Sequence, residues 1–271
     1  MKKQWFDITE VTENLFALRE PLHIQDVVSY LLVTRTNAIL FDTGMGYENI
    51  EAVVKSLTQN PITVFLTHTH WDHIGGAHLF DRVNVFDNRF ERTLLEEGFS
   101  SIDERKVFGD FLDDPEYFSR PEMFAPKKYL IPGKTKYGLL SDNQSVRIDD
   151  YDIQVIHTPG HTPGSACYYI PQLNVLLTGD LVYPGPLYAH LEGADFTQYL
   201  ESLRKLSRLM DPSVQMLPGH NAVTVDGSLL KRVTEGFEAI AMGDKSQVFD
   251  PRENSYEYKF QDFSVFTTEN T

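Results

Sequence analysis

Residues 63–78 read TVFLTHTHWDHIGGAH, and how the rest of the chain is read depends on them. The apolar residues 64–66 lead directly into four histidines, His68, His70, His73 and His78, and one aspartate, Asp72. In extended backbone, side chains two apart project to the same side, so His68 and His70 share a face and Asp72 follows on that alternation. His73 turns the other way as the chain leaves the strand. Gly75 and Gly76 then permit a tight turn or a close backbone approach. A hydrophobic core does not call for imidazoles at this spacing, whereas a metal ion does.

Upstream of this stretch, LFALRE (15–20), VVSYLLVT (27–34) and AILFDTG (38–44) read as successive strands, the last ending at a glycine turn. NIEAVVKSL (49–57) places Ile50, Val53, Val54 and Leu57 at helical spacing and leads to the strand ITVFL (62–66). Downstream, DIQVIH (152–157), NVLLTG (174–179) and VQMLPG (214–219) are strands. The segment DFTQYLESLRKLSRLM (195–210) is an amphipathic helix, with Asp195 as N-cap and a core stripe of Phe196, Tyr199, Leu200, Leu203 and Leu206. Strands followed by alternating strands and helices predict an α/β protein, and 271 residues fit one large domain. Residues 80–150 lack sustained periodicity and are rich in Phe, Asp, Glu and Pro, which predicts a substrate-facing insertion carrying Phe108, Phe111 and Phe118.

The downstream strands supply further donors. His161 follows a strand and a Pro-Gly turn in VIHTPGHTPGS, Asp180 ends VLLTGD, and His220 ends VQMLPGH. Strand ends of an open α/β sheet converge on one edge, so these three join His68, His70, Asp72 and His73 as seven donors. Nitrogen and carboxylate ligands without thiolate suit zinc, and iron or manganese as well. His157, His23, His78 and His190 stand outside the pattern, and Thr158, Pro159, Pro163 and Gly164 shape the loop around His161.

Composition restricts the partners. At 41% apolar and 23% charged, the chain is ordinary globular protein, and its formal charge of −15 disfavours nucleic acid and anionic membranes. No apolar run reaches transmembrane length, and Asp7, Glu10 and Glu13 interrupt the N-terminus where a secretory signal needs apolar residues. The single cysteine, Cys167, excludes an internal disulfide and reads as a small buried residue. A cytoplasmic location is expected, and a homodimer is compatible with all of this.

Taken together, THTHWDH, PGH (159–161), GD (179–180) and PGH (218–220), preceded by LFDTG (40–44), resemble the metallo-β-lactamase superfamily in kind and in order. The resemblance implies a four-layer αββα sandwich with two divalent metal ions, zinc first among them, at one edge. By motif, His68, His70 and His161 would hold the first ion, Asp72, His73 and His220 the second, and Asp180 would bridge both. Asp42 matches the aspartate that orients a ligand imidazole. The implied activity is hydrolysis of a thioester, ester or lactone in a small molecule by a metal-bridging hydroxide, with Asp72 and Asp180 moving the proton to the leaving group. THTHWDHIGG is similar to the glyoxalase II version of the motif, although PGHNAV (218–223) departs from that branch. The pair Lys231 and Arg232 in SLLKRV is no counterpart of its basic glutathione-binding segment, and reads as the solvent edge of an amphipathic helix. Tyr183, three residues after Asp180, resembles the substrate-contacting tyrosine of acyl-homoserine lactonases and would act as a catalytic hydrogen-bond donor. Phosphodiester hydrolysis, and sulfur oxidation by a single iron as in persulfide dioxygenases, are the alternatives.

Overall fold

The computed structural model of the protein describes residues 4–99 and 130–268, which divide into two compact units. The first lies within Met1–Val85, Glu91–Leu140 and Ile148–Asp150 and is built on a seven-stranded sheet in chain order. Strands β1 (Asp7–Thr12), β2 (Leu15–Arg19), β3 (Val28–Val33) and β4 (Ala38–Phe41) form an antiparallel meander. Strands β5 (Ile62–Phe65) and β6 (Arg82–Phe86) then join in parallel, and β7 (Gly138–Leu140) closes the order. Parallel neighbours need a crossover. Helix α1 (Ile50–Leu57) supplies it between β4 and β5: Asn49 caps it by accepting from the Ala52 N–H at 3.1 Å, and Ile50 and Val54 are buried. Helices α2 (Trp71–Ile74) and α3 (Arg89–Glu97) follow.

The second unit lies within Phe86–Phe90, Ser141–Arg147 and Tyr151–Thr271 and holds two sheets and its own hydrophobic cluster. Strands β8 (Ser145–Ile148), β9 (Tyr151–His157), β10 (Ala166–Ile170), β11 (Val175–Gly179), β13 (Gln215–Pro218) and β14 (Val225–Asp226) form one sheet, ordered β14-β13-β11-β10-β9-β8. Strand β12 (Gly185–Ala189) joins β15 (Val248–Asp250), β16 (Ser255–Lys259) and β17 (Phe263–Thr267) in the other. β11 and β13 run parallel with Gly179 opposite Pro218, so the residues that follow them, Asp180 and those up to His220, leave the sheet at the same edge. Helix α4 (Phe196–Leu209) is capped by Asp195, which accepts from the Gln198 N–H at 2.9 Å. It buries Tyr199, Leu200, Leu203 and Leu206, while helix α5 (Ser228–Ala241) brings Phe237 to stack on Tyr199 with ring centroids 4.6 Å apart. Lys231 and Arg232 lie on the exposed face of α5.

Two expectations change. Trp71–Ile74 is a helical turn begun by His70 as its N-cap residue, so Asp72 and His73 are presented by a helix and not by strand alternation. The reason is local: the His73 N–H donates to His70 O at 3.0 Å and the Ile74 N–H does so at 3.2 Å, which closes the turn. Both ends of 80–150 also carry regular structure, in β6, α3, β7 and β8. Phe108, Phe111 and Phe118 lie outside the described residues. Among the described residues no helix is long and apolar enough to cross a membrane.

Leu203 is wholly buried on the inner face of α4. Leu203→Ala is expected to destabilise the protein by about 2–5 kcal/mol, read as a lower urea midpoint at an unchanged m-value. A change below about 1 kcal/mol would mean that the stripe of α4 contributes less packing than its burial indicates.

Candidate metal site

Each unit presents its own set of buried imidazoles and carboxylates. In the first, the donors follow β5. His68 and His73 are buried, as is Asp72, while His70 is partly exposed. The His68 ring centroid is 4.8 Å from that of His70 and 4.2 Å from that of His73, and His73 Nε2 stands 4.0 Å from Asp72 Oδ2. Four candidate donors thus fall within six residues of chain, 68–73.

What holds them is Asp42, at the end of β4. Its Oδ1 accepts from the Thr67 N–H at 2.7 Å, and its Oδ2 accepts from the Thr67 hydroxyl at 2.8 Å and from His73 Nδ1 at 2.9 Å. Thr67 Oγ1 is in turn 3.1 Å from His68 Nδ1. One placement of protons satisfies every contact: His68 Nδ1–H donates to Thr67, Thr67 donates to Asp42, and His73 Nδ1–H donates to Asp42. Both rings then keep Nε2 as a lone pair, the form in which imidazole binds a metal. Asp42 adopts φ 59°, a left-handed conformation that aspartate tolerates better than most residues.

The loop after Asp42 packs directly under the ligand turn. The Thr43 N–H and hydroxyl both donate to His73 O at 2.8 Å, and the Gly75 N–H donates to Gly44 O at 2.8 Å. A Cβ on Gly75 would stand 2.1 Å from the Met45 carbonyl carbon, so only glycine allows the two backbones so close.

Two further carboxylates support this set, and the sequence pattern did not single them out. Glu20, at the end of LFALRE, accepts from the Met45 N–H at 2.9 Å and from the Trp5 indole N–H. Burial pushes its carboxyl up to about 7, against the downward pull of the Trp5 and Met45 hydrogen bonds. Glu91, buried in α3, accepts from the Thr69 hydroxyl at 2.6 Å and so fixes the residue between His68 and His70. The only local signal for either is an acid placed within an apolar or amphipathic segment.

In the second unit, His161, Asp180 and His220 are all buried. His161 Nδ1 lies 3.0 Å from Tyr188 O, a pure acceptor, so Nδ1 carries the proton and Nε2 is again the lone pair. That Nε2 stands 3.4 Å from Asp180 Oδ2, and His220 Nε2 stands 3.1 Å from Oδ1 and 3.2 Å from Oδ2. Two buried imidazoles thus face one buried carboxylate. The His161 Nε2 lone pair and the Asp180 carboxylate are both acceptors and face each other, a contact a divalent cation would satisfy, so the residues fit a metal.

The other histidines are engaged elsewhere. His157 stacks on Phe86 at 4.1 Å with its Nε2 3.0 Å from Pro163 O, His23 Nδ1 accepts from the Gln25 N–H at 3.1 Å, and His190 Nε2 faces Glu253 at 3.6 Å. His78 is exposed, and partial desolvation lowers its pKa. Tyr183 is buried with its ring 5.0 Å from that of His220, and its hydroxyl donates to Pro186 O. Cys167 is buried, and its thiol is pushed up to about 12 by burial, which keeps it inert.

Known proteins place this geometry. The human protein named acyl-coenzyme A thioesterase MBLAC2 is 24% identical over 234 residues, covering 80% of this chain and 81% of its own. The Haemophilus influenzae protein named hydroxyacylglutathione hydrolase GloC is 22% identical over 194 residues, covering 70% and 83%. A metallo-beta-lactamase structure from Pontibacter korlensis matches with a TM-score of 0.63 at 18% identity, covering 86% of this chain and 99% of that one. The profile of the Metallo-beta-lactamase superfamily matches residues 25–220, from before β3 to the last donor, His220. With its mixed sheets, flanking helices and His/Asp donor sets, the chain is an α/β metalloenzyme that belongs to the metallo-beta-lactamase superfamily.

Proposed function

We propose that the two donor sets close on one dinuclear centre, and that the protein uses it to hydrolyse the acyl bond of a small-molecule thioester. His68, His70 and His161 take the first ion, Asp72, His73 and His220 the second, and Asp180 serves both. The observation that carries this reading is the pair of buried imidazoles, His161 and His220, whose Nε2 atoms both face the Asp180 carboxylate, His161 at 3.4 Å from Oδ2 and His220 at 3.1 Å from Oδ1. Seven donors exceed what one tetrahedral ion uses. Zinc suits the nitrogen and carboxylate set, and iron or manganese shares it.

Divalent ions held there supply Lewis acidity and bring water into the hydroxide range near neutral pH. The chain's own residues do the rest. Asp42 holds His73 in the ligating tautomer, and Tyr188 O does so for His161. Asp72 and Asp180 offer carboxylate oxygens that hold the proton released from water and pass it to the leaving group. A thiol leaves with a pKa of about 8.5, so this transfer is least demanding for a thioester. Support for thioesters over esters and lactones comes from the relatives, one named for acyl-coenzyme A and one for hydroxyacylglutathione. The formal charge of −15 sets against this the polyanionic tail of coenzyme A, so thioesters with uncharged tails belong in the same comparison. The Tyr183 hydroxyl is already given to Pro186 O, and we read this tyrosine as packing for the His220 ring.

Elemental analysis of protein reconstituted with excess metal is expected to find close to two ions per chain. A value of one would sink the dinuclear reading. On a panel of acyl-coenzyme A, uncharged thioesters, lactones, aryl esters and phosphodiesters, thioesters are expected to give the highest kcat/KM, and a phosphodiester at the top of that ranking would replace acyl hydrolysis. Asp180→Ala is expected to abolish turnover of every substrate, because it removes the ligand shared by both ions. Tyr183→Phe is expected to keep near-parental kcat/KM while losing about 1 kcal/mol of stability with the Pro186 bond. A drop in kcat/KM of about 10²-fold at unchanged stability would instead make its hydroxyl an oxyanion donor.

A further inference from the structure

Two loops of the second unit carry its donors, and one helix residue touches both. Tyr199, fully buried in the first turn of α4, places its hydroxyl 2.7 Å from Asp180 O and 2.8 Å from Leu181 O. Its single proton is shared between two successive carbonyls of the Asp180 loop. The Tyr199 backbone meanwhile lies against Gly160, the residue before His161. A Cβ on Gly160 would stand 2.2 Å from Tyr199 Cα, and φ +143° at Gly160 is itself a conformation that suits glycine. Neighbouring residues fasten the same loop: the Asp195 N–H donates to Gly160 O at 2.8 Å, and the Ser202 hydroxyl donates to Pro159 O at 2.6 Å. Stacking on Phe237 leaves the Tyr199 ring little freedom to swing.

We propose that Tyr199 is a positioning residue for the metal centre, setting Asp180 and His161 against each other by holding one loop with its hydroxyl and the other with its backbone. The hydroxyl fixes the peptide that carries Asp180, and the backbone seats the loop that carries His161. Metal–ligand bonds tolerate displacements of only about 0.5 Å, so a jig that spans both loops matters more than one tied to either. Neither Tyr199 nor Ser202 approaches the ions in this scheme; both act through backbone. The inference rests on the dinuclear reading above.

The test is Tyr199→Phe, which removes one oxygen and keeps the stacked ring. Zinc dissociation constants are measured by competition with a chromophoric chelator. The absorption spectrum of the cobalt(II)-substituted protein is recorded alongside, as is the unfolding temperature of the metal-free protein. Both ions are expected to bind about tenfold more weakly, the low end of the range for residues that orient ligands, with an altered cobalt spectrum. A variant with a lower metal-free unfolding temperature but parental zinc affinities and cobalt spectrum would show a merely structural tyrosine and overturn the inference. Should the Phe variant not fold, Ser202→Ala is read in the same way, and parental zinc affinity there overturns it equally. Parental protein that binds fewer than two ions brings down the dinuclear reading and this inference with it, whereas two ions in the parent and unchanged variants remove only the inference.

Discussion

A buried carboxylate that accepts three hydrogen bonds sets the geometry of the first unit's donors. Asp42 draws the Thr67 N–H, the Thr67 hydroxyl and His73 Nδ1 onto one side chain, and this ties the end of β4 to the end of β5 and to the helical turn beyond it. An anion removed from water in this way is tolerable only when its lone pairs are well used. Here they are used on Thr67, which sets the tautomer of His68, and on His73 itself, whose Nδ1–H they fix. Charge-assisted hydrogen bonds of this kind are among the strongest a protein makes, so the donor turn inherits the rigidity of the sheet.

Around that contact the first unit is arranged so that backbone meets backbone. The 43–46 loop packs beneath Gly75, and Glu20 holds the Met45 N–H from the other side. The second unit reaches the same end by a different route. Parallel pairing of β11 with β13 brings Asp180 and His220 out at one edge, and α4 supplies the side chains that hold the intervening loops. One unit positions its donors with buried acids, the other with a tyrosine hydroxyl and a serine hydroxyl aimed at carbonyls. In both, the candidate donors are outnumbered by the groups that decide where those donors stand.

Catalytically this division has a consequence. The donors can be read as chemistry only because their orientation is fixed in advance, before any ion or substrate arrives. His161 with its Nδ1 on Tyr188 O has a single ligating nitrogen left, and so has His73 with its Nδ1 on Asp42. An imidazole free to flip would halve its effective presentation and weaken both affinity and the polarity of the site.

Local sequence determined a good deal by itself. Alternation and apolar runs located β2, β3, β4, β5, β9, β11 and β13, helical spacing located α1 and α4, and each glycine-turned strand end announced its donor, because these signals depend on neighbours within a few residues. It did not locate β12, whose partner β17 lies more than 70 residues further along the chain, nor the short strands β15–β17, nor the helical turn at Trp71–Ile74, too brief for periodicity to register. Glu20 and Glu91 were equally hidden, since each acts on a residue more than 20 positions away, Met45 and Thr69. Which residues are candidate donors is thus written in short motifs, where residue type and spacing suffice. Which nitrogen each histidine offers, and which buried acid or hydroxyl holds it there, was decided only by the tertiary structure, because those contacts arise where strands distant in sequence end side by side.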